Sequence, residues 1–246
     1  MTLLLLTKVE GNKHSITKLI REYAIEKSEK KKIIGNEVFL VRVYNEASVL
    51  KETLKHILHA GYENILIVDD GSNDDSWNII QKMKEKYPKI LSVHHSQNRG
   101  GGAALETGFE YIRRYAQVEY IITFDADGQH QIGDVEKFFK AFEKYPHLEA
   151  VFGSRFLKGK NMKKIPPFRR IVLRLGKIFT KIMTGITLSD AHNGYRVFRP
   201  SALQKIQLTA DSMAYASELI ELVAQHKVSY AEVPVDILYS EYSLAK

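Results

Sequence analysis

Four short apolar runs in the first half of the chain each end in a polar signature, and this repetition constrains the fold more than any other feature. The runs begin at Val38, Ile65, Ile90 and Tyr120. They alternate with segments of helical period, a pattern typical of βαβ units and a mostly parallel sheet. We therefore predict an α/β fold, a Rossmann-type sheet flanked by helices, in which all four signatures lie at the carboxyl edge.

The four signatures are rich in carboxylates and glycine. In chain order they are Tyr44-Asn45-Glu46, Asp69-Asp70-Gly71-Ser72, Asn98-Arg99-Gly100-Gly101-Gly102-Ala103-Ala104 and Asp125-Ala126-Asp127-Gly128-Gln129. Two aspartates after a strand often only cap a turn, but a hard divalent cation prefers oxygen ligands of this kind. Because three further signatures accompany them, Asp125 and Asp127 indicate a metal site, where the cation would neutralise a diphosphate.

The segments between the runs predict helices. Residues 49–58 form one, with Asn45 or Ser48 as its cap and Gly61 at its end. Further elements are expected as helices over residues 77–87, 105–115 and 135–142, a strand over 150–152 and a last strand over 233–239.

The first 35 residues differ from the rest. They contain an amphipathic helix over 15–29 that runs into a charge-rich stretch, 27–32, and we interpret 1–35 as an N-terminal appendage of unknown role. Residues 36–241 form one domain, divided near residue 155, and 242–246 form a tail. A length of 246 residues is sufficient for such a domain and its core.

Composition and charge narrow the function classes. The chain has no cysteine, which excludes disulfides, thiolate ligands and a cysteine nucleophile. The leucines near Met1 are followed at once by Lys8 and Glu10, so neither a signal peptide nor a membrane span is expected. A net charge of +7 indicates an anionic partner, but does not distinguish nucleic acid, anionic lipid and a phosphorylated substrate.

Much of the positive charge lies in residues 155–189, which hold ten Lys or Arg and no acidic residue. After Pro166-Pro167 the pattern predicts a helix with an apolar side flanked by Arg170, Arg174, Lys177 and Lys181. This is typical of a helix at a membrane surface. An ordinary packed helix with a solvated basic face is the alternative.

Three other classes fit poorly. A Rossmann oxidoreductase needs G-x-G-x-x-G after its first strand, and a P-loop NTPase needs G-x-x-x-x-G-K-[ST]; the chain has neither. A nucleic-acid-binding module would leave the acidic strand ends unexplained, because carboxylates repel phosphate unless a metal intervenes. No nucleic-acid partner is therefore expected.

In this order the motifs resemble family 2 of the nucleotide-sugar glycosyltransferases, which have the GT-A fold, and most closely the dolichyl- or polyprenyl-phosphate sugar synthase branch. The resemblance covers about residues 38–241. The branch is indicated by two segments: Asp190-Ala191-His192-Asn193-Gly194-Tyr195-Arg196, similar to D-x-x-x-G-F/Y-R, and Arg169-Arg170-Ile171-Val172-Leu173-Arg174, similar to R-R-h-x-x-R.

The resemblance implies a nucleotide-sugar site in residues 36–155. Residues 41–46 resemble the opening element of the nucleotide pocket, to which Tyr44 and Glu46 contribute, with Arg42 in place of the usual proline. Asp70 would contact the base or ribose, and the backbone of Val68 the base. The glycines of 98–108 would serve either ligand approach or helix packing.

The resemblance also implies a metal and phosphate site. Asp125, Asp127 and Gln129 would hold Mg²⁺ or Mn²⁺, and Asp125, Ala126 and Asp127 would lie against the donor. Arg155, within Gly153-Ser154-Arg155, would approach the donor or acceptor phosphate, and Arg196 would lie near the reaction centre. Arg169, Arg170, Arg174 and Lys177 belong to the acceptor-side half, 156–241, which would face the membrane.

The implied function is a metal-dependent, inverting hexosyltransferase that moves a sugar from a UDP- or GDP-sugar to a polyprenyl or dolichyl phosphate. The protein would be cytoplasmic and peripheral at the inner membrane face. The alternative acceptor is a saccharide hydroxyl in polysaccharide or glycolipid synthesis, and then a base is needed, for which Asp190 is the candidate. The catalytic candidates are thus Asp127, Asp190 and Arg196. Which sugar and nucleotide are used, and the oligomeric state, stay open.

Overall fold

Strands and helices alternate along the chain in a computed structural model, which describes residues 2–157, 186 and 188–238, with side chains from Lys13 onward. In chain order the elements are α1 (Thr2–Lys27), β1 (Ile33–Ile34), β2 (Glu37–Val43), α2 (Ala47–His59), β3 (Ile65–Asp69), α3 (Ser76–Lys86), β4 (Ile90–His94), α4 (Gly101–Tyr115), β5 (Ala116–Gln117), β6 (Tyr120–Asp125), α5 (Val135–Lys144), β7 (Ala150–Ser154), β8 (Arg196–Phe198), α6 (Pro200–Lys205), α7 (Tyr215–Gln225) and β9 (Tyr230–Pro234).

Among the described residues, seven strands form one sheet in the order β4-β3-β2-β6-β8-β7-β9. Neighbours are parallel, except that β8 is antiparallel to both β6 and β7. Strands β4, β3, β2 and β6 therefore end at one edge. The predicted α/β fold, with a mostly parallel sheet flanked by helices, is confirmed, and so is the common edge of the four signatures.

Both faces of the sheet are covered by helices, which explains why the strand runs are continuously apolar. Alternate residues of β2 enter different cores: Val38 and Leu40 pack with α1, α4, α6 and α7, while Phe39 and Val41 pack with α2, α3 and α5. One-residue alternation along a strand thus divides a continuous run between two hydrophobic layers.

The predicted cap of α2 is wrong. Neither Asn45 nor Ser48 caps the helix, because the Asn45 side chain instead accepts a hydrogen bond from the Asn73 amide at 2.8 Å. The amide of Ala47, the first helical residue, donates to Asp74 Oδ2 at 3.0 Å. Gly61 does follow the helix end as predicted, with φ of 91°.

The last strand is shifted from its predicted position. It was expected at 233–239 and lies at Tyr230–Pro234, where its five residues pair with the five of β7. Pro234 is the last residue of this edge strand, where a missing amide hydrogen is tolerated, and the Val235 amide still donates to the Ser154 carbonyl at 3.0 Å. The predicted helix after Pro166-Pro167 and the tail at 242–246 lie outside the described residues.

Helix α1 is docked on the main domain through its described side chains. Ala24 and Ile25 belong to the core beneath α4 and β4. Thr17 donates to Asp211 Oδ2 at 2.7 Å and accepts from Arg99 Nε at 2.9 Å, so the helix touches the loop that follows β4. The domain limits at residues 35 and 241 stay a prediction.

Candidate active site

The carboxyl edge of the sheet brings three predicted site residues together. In the paired strands, Arg42 of β2 lies opposite both Asp125 of β6 and Val68 of β3. The Asp70 amide donates to the Val43 carbonyl at 2.9 Å, which places the second signature beside the first. Local strand endings thus become one site because their strands are neighbours.

Arg42 and Asp125 form an ion pair at the centre of this edge, through Nη2 and Oδ1. Arg42 Nη1 also donates to the Tyr215 hydroxyl at 2.8 Å and the Gly101 carbonyl at 3.2 Å. Burial opposes ionisation of Asp125, but the charge of Arg42 and the contact with His130 outweigh it and hold the pKa of Asp125 well below its usual range. Asp125 is therefore a carboxylate in this structure at any physiological pH.

The space around Asp125 is closely fitted. His130 Nε2 lies 3.3 Å from Asp125 Oδ2. A β-carbon at Gly194 would overlap that same oxygen, so only glycine leaves room for the carboxylate. The Gly194 carbonyl accepts from Thr123 Oγ1 at 2.6 Å, which fixes the glycine against β6. The segment predicted to lie near the reaction centre thus borders the first aspartate.

Asp127 is in a different state from Asp125. Gly128, with φ of 74°, turns the loop so that the Gln129 amide donates to Asp127 Oδ1 at 3.0 Å. Burial raises the pKa of Asp127, and the negative charges of Asp125 and Glu46 raise it further. This carboxylate lies among like charges, a situation that a bound cation would relieve.

The residues fit a divalent cation that shares its coordination with phosphate. In the part of the chain that the structure describes, no three Asp, Glu or His side chains converge into a ready-made metal cage. Mg²⁺ commonly binds through one or two carboxylates together with substrate phosphates, which does not require such a cage. The oxygens of Asp127, Asp125 and Gln129 are of the right chemical class for Mg²⁺ or Mn²⁺.

Asp70 organises the loop after β4. Its Oδ1 accepts from the Arg99 amide at 3.0 Å and lies 2.7 Å from His95 Nδ1, while Oδ2 accepts from the Gly100 amide at 2.7 Å. The residue is buried. The predicted contact with a base or ribose stays a prediction, and the structure adds that both oxygens already hold the Arg99–Gly100 backbone.

Two histidines at the end of β4 contact the aspartates of this edge and were not among the predicted site residues. His94 Nδ1 lies 2.7 Å from Asp69 Oδ2, and the ring stacks on Trp77 at 4.5 Å. His95 links Asp70 to Thr107 of α4, at 2.8 Å from Thr107 Oγ1. Their position directly at a strand end was the available signal, because the other signatures begin there too.

The glycines within residues 98–108 lie directly against other protein atoms, with no open space beside them for a ligand. A β-carbon at Gly102 would overlap the Ala210 carbonyl, and one at Gly108 would overlap the Leu40 side chain. Gly100, with φ of 104°, lies against the backbone of Asp211. Of the two alternatives, helix packing is the one these contacts support.

The remaining predicted donor residues occupy the same edge. Tyr44 is exposed, at 40%. Glu46 lies close enough to Asp127 to raise the pKa of its carboxyl group. The side chains of Val68 and Ala126 are buried, which leaves only their backbone for a ligand.

On the other side of β6, Arg155 and Asp190 form a bidentate ion pair. Arg155 Nε and Nη2 donate to the two carboxylate oxygens at 2.7 and 2.8 Å, and the Arg155 amide donates to Oδ2 at 3.0 Å. Asp190 is buried. The carboxylate therefore fixes the direction of Arg155.

Arg196 is a buried cation between two rings. It is 1% exposed, and its guanidinium lies 5.8 Å from the ring centres of both Phe152 and Tyr215. Nη2 donates to the Ala191 carbonyl at 3.0 Å, and Nε has no partner among the described residues. Burial lowers the pKa of Arg196, and the charge of Arg42 adds to this effect.

Some predicted residues are not placed. Arg169, Arg170, Arg174 and Lys177 lie outside the described residues. Within the described ranges no helix combines the length and apolar character needed to cross a bilayer.

Comparison with known proteins adds the family. The model of glycosyl transferase family 2 matches residues 39–207. An uncharacterized protein of Methanocaldococcus jannaschii is 36% identical over 226 residues, covering 90% of this chain and 89% of that protein. The UDP-N-acetylglucosamine–dolichyl-phosphate N-acetylglucosaminyltransferase of Methanococcus voltae is 31% identical over 222 residues, covering 84% of this chain and 87% of that protein.

Solved structures agree on the fold. The mannosyltransferase of Pyrobaculum calidifontis, in complex with GDP-Man and Mn²⁺, superposes with a TM-score of 0.55 at 18% identity, covering 94% of this chain and 65% of that one. Glucosyl-3-phosphoglycerate synthase of M. tuberculosis gives 0.59 at 12% identity, covering 89% of this chain and 76% of that one. The match over residues 39–207, together with the sheet and its acidic edge, places this chain in glycosyl transferase family 2, as an enzyme with the GT-A fold.

Proposed function

We propose that this enzyme transfers a hexose from a UDP- or GDP-sugar to a polyprenyl or dolichyl phosphate, with Mg²⁺ or Mn²⁺ and with inversion at the sugar carbon. The observation that carries the proposal is the pair of carboxylates, Asp125 and Asp127, at the carboxyl end of β6, the edge where the nucleotide site is expected. Relatives named for dolichyl and polyprenol phosphate chemistry, from Methanococcus voltae and Mycolicibacterium smegmatis, support the acceptor class.

The donor would lie along the edge formed by β2, β3 and β6. The nucleoside would lie on the side of Asp70 and Val68, and the diphosphate beside Asp127. A divalent cation bound there would neutralise the diphosphate as it leaves, without a proton donor. Asp125, Asp127 and Gln129 are the residues that would hold the cation.

The hydrogen bonds of Asp190 fit a phosphate as the acceptor. A lipid phosphate is already anionic near neutral pH, so its oxygen can form the bond to the sugar carbon as the bond to the diphosphate breaks, with no proton to remove. Both oxygens of Asp190 accept from Arg155. That arrangement suits a residue that positions a cation for a phosphate better than a general base, which needs an oxygen free for its proton.

Membrane contact would come from the basic stretch at 155–189. Each basic side chain near anionic headgroups contributes on the order of 1 kcal/mol, and salt weakens the attraction. A long polyprenyl chain is confined to the bilayer, so a peripheral enzyme on the inner face must meet it there.

The test is an acceptor panel. Purified protein is given UDP-GlcNAc, UDP-Glc or GDP-Man with Mn²⁺ or Mg²⁺, together with a short polyprenyl phosphate, the matching polyprenol or a soluble oligosaccharide. We expect transfer to the phosphate alone, lost in EDTA and in Asp127→Asn. Transfer to the oligosaccharide but not to the lipid phosphate would refute the proposed acceptor and favour the saccharide alternative.

A further inference from the structure

Arg42 departs from the pattern of the family that the sequence resembles, in which proline is usual at this position. The departure puts a partly buried guanidinium directly on Asp125, the first aspartate of the expected metal site. Two more contacts hold it in place, with the Tyr215 hydroxyl and the Gly101 carbonyl. The Tyr215 ring also lies 5.1 Å from the guanidinium carbon.

The position of Arg42 conflicts with full metal coordination. Asp125 Oδ1 is taken by Arg42 and Oδ2 faces His130 at 3.3 Å, and Gly194 closes the space behind. A divalent cation that used Asp125 would have to displace the guanidinium or accept a positive neighbour at the same carboxylate. A divalent cation and a guanidinium that contact the same carboxylate repel each other strongly in a partly buried site.

Resting on the function proposed above, we infer that Arg42 is a resident counter-ion that competes with the divalent cation for Asp125, and that it turns to the donor diphosphate when the cation binds. Asp127 is the first ligand of the incoming cation, because Arg42 does not contact it. Tyr215 and Gly101 then hold the displaced guanidinium at the same edge, beside the expected position of the diphosphate.

This arrangement predicts opposite changes in two affinities. Without Arg42, the cation loses a competitor and a repulsive neighbour, so metal alone should bind more tightly. Without Arg42 and without metal, the diphosphate loses a nearby positive charge, so nucleotide should bind more weakly. A residue that merely supports the fold would change both affinities in the same direction.

The experiment measures each affinity alone by calorimetry, without sugar or lipid. We expect Arg42→Gln to bind Mn²⁺ about tenfold more tightly and to bind UDP or GDP in EDTA about tenfold more weakly, each a free-energy change of about 1.4 kcal/mol. Arg42→Lys, which keeps the charge, should stay closer to wild type in both. Arg114→Gln is the matched control, since Arg114 pairs with Glu22 and Glu110 on the surface far along α4.

Several results would overturn the inference. One is a folded Arg42→Gln protein whose Mn²⁺ affinity is equal to or below that of wild type; absence of Mn²⁺ binding in both proteins is another. If Arg42→Gln does not fold, the wild type decides by NMR: Mg²⁺ alone must shift the Arg42 Nε–H signal, and an unmoved signal contradicts the inference. Failure of sugar transfer to a lipid phosphate would instead count only against the proposed acceptor.

Discussion

Replacing Asp70 with asparagine tests whether this residue shapes the loop after β4 for ligand binding, in addition to stabilising the fold. The two carboxylate oxygens serve the Arg99 amide, the Gly100 amide and His95 Nδ1, at 3.0, 2.7 and 2.7 Å. In asparagine one oxygen becomes an NH₂ group, so at least one of these donors would face another donor. The buried position leaves little water to compensate.

The cost follows from those contacts. A hydrogen bond to a charged group contributes about 1.5–3 kcal/mol, and an orphaned buried donor adds a penalty of similar size, so we expect Asp70→Asn to lose about 3 kcal/mol of unfolding free energy. For a chain of this length that lowers Tm by roughly 6–12 °C. Because the Arg99–Gly100 backbone borders the proposed nucleotide site, we also expect UDP or GDP to bind about tenfold more weakly in EDTA, a change of about 1.4 kcal/mol.

Thr107→Val is the matched control. It removes the hydroxyl that contacts His95 Nε2 at 2.8 Å and leaves both oxygens of Asp70 in place. Thermal denaturation and calorimetry are compared for both variants. Equal nucleotide affinity in Asp70→Asn and wild type, or the same loss in Thr107→Val at a matched Tm, would refute the role of Asp70 in shaping the site.

Four further predictions concern the metal, the proposed acceptor side and the membrane. Asp127→Asn should abolish transfer and metal binding, and it should slightly raise the Tm of the metal-free protein at neutral pH. The reason is that the pKa of Asp127 is raised in the folded state, so ionisation of this carboxyl group lowers the stability of the fold as pH rises from the unfolded to the folded pKa. Because a proton competes with the cation for Asp127, the metal affinity of the wild type should increase with pH and level off once this carboxyl group is ionised. A metal affinity that does not change with pH in calorimetry would contradict this. Asp190→Asn and Arg155→Ala should reduce kcat/KM by similar, non-additive amounts, because the two side chains act as one unit; additive losses in the double variant would indicate separate roles. Replacing Arg170, Arg174, Lys177 and Lys181 with glutamine should reduce sedimentation with anionic liposomes at low salt, with little change in nucleotide affinity, and undiminished sedimentation would remove the proposed membrane contact.

The strand ends were predictable because their signals are local. Asp69 and Asp125 directly follow apolar runs of strand length, and a parallel sheet places such endings at one edge whatever the detailed packing. The mostly parallel topology and the position of the acidic edge therefore followed from the sequence alone.

Contacts between distant residues were not predictable in this way. The Arg42–Asp125 pair joins residues 83 positions apart, and the bond that caps α2 comes from another loop, at Asp74. Strand β8 has three residues, too few to give a periodic signal, and it lies between β6 and β7 in the sheet. Side-chain pairing across elements depends on tertiary packing, which no local pattern records.

The contact between α1 and the loop after β4 has a consequence for how such enzymes can be cut and recombined. The family match begins at residue 39, whereas Thr17 joins Arg99 to Asp211 from outside that region. A chimera joined at residue 39 would keep the loop after β4 but would lose the hydrogen bonds that Thr17 makes with Arg99 and Asp211. The segment that the family model matches is thus smaller than the unit that these side-chain contacts hold together, so we expect exchange between homologues to succeed better when residues from Lys13 onward are transferred with the rest.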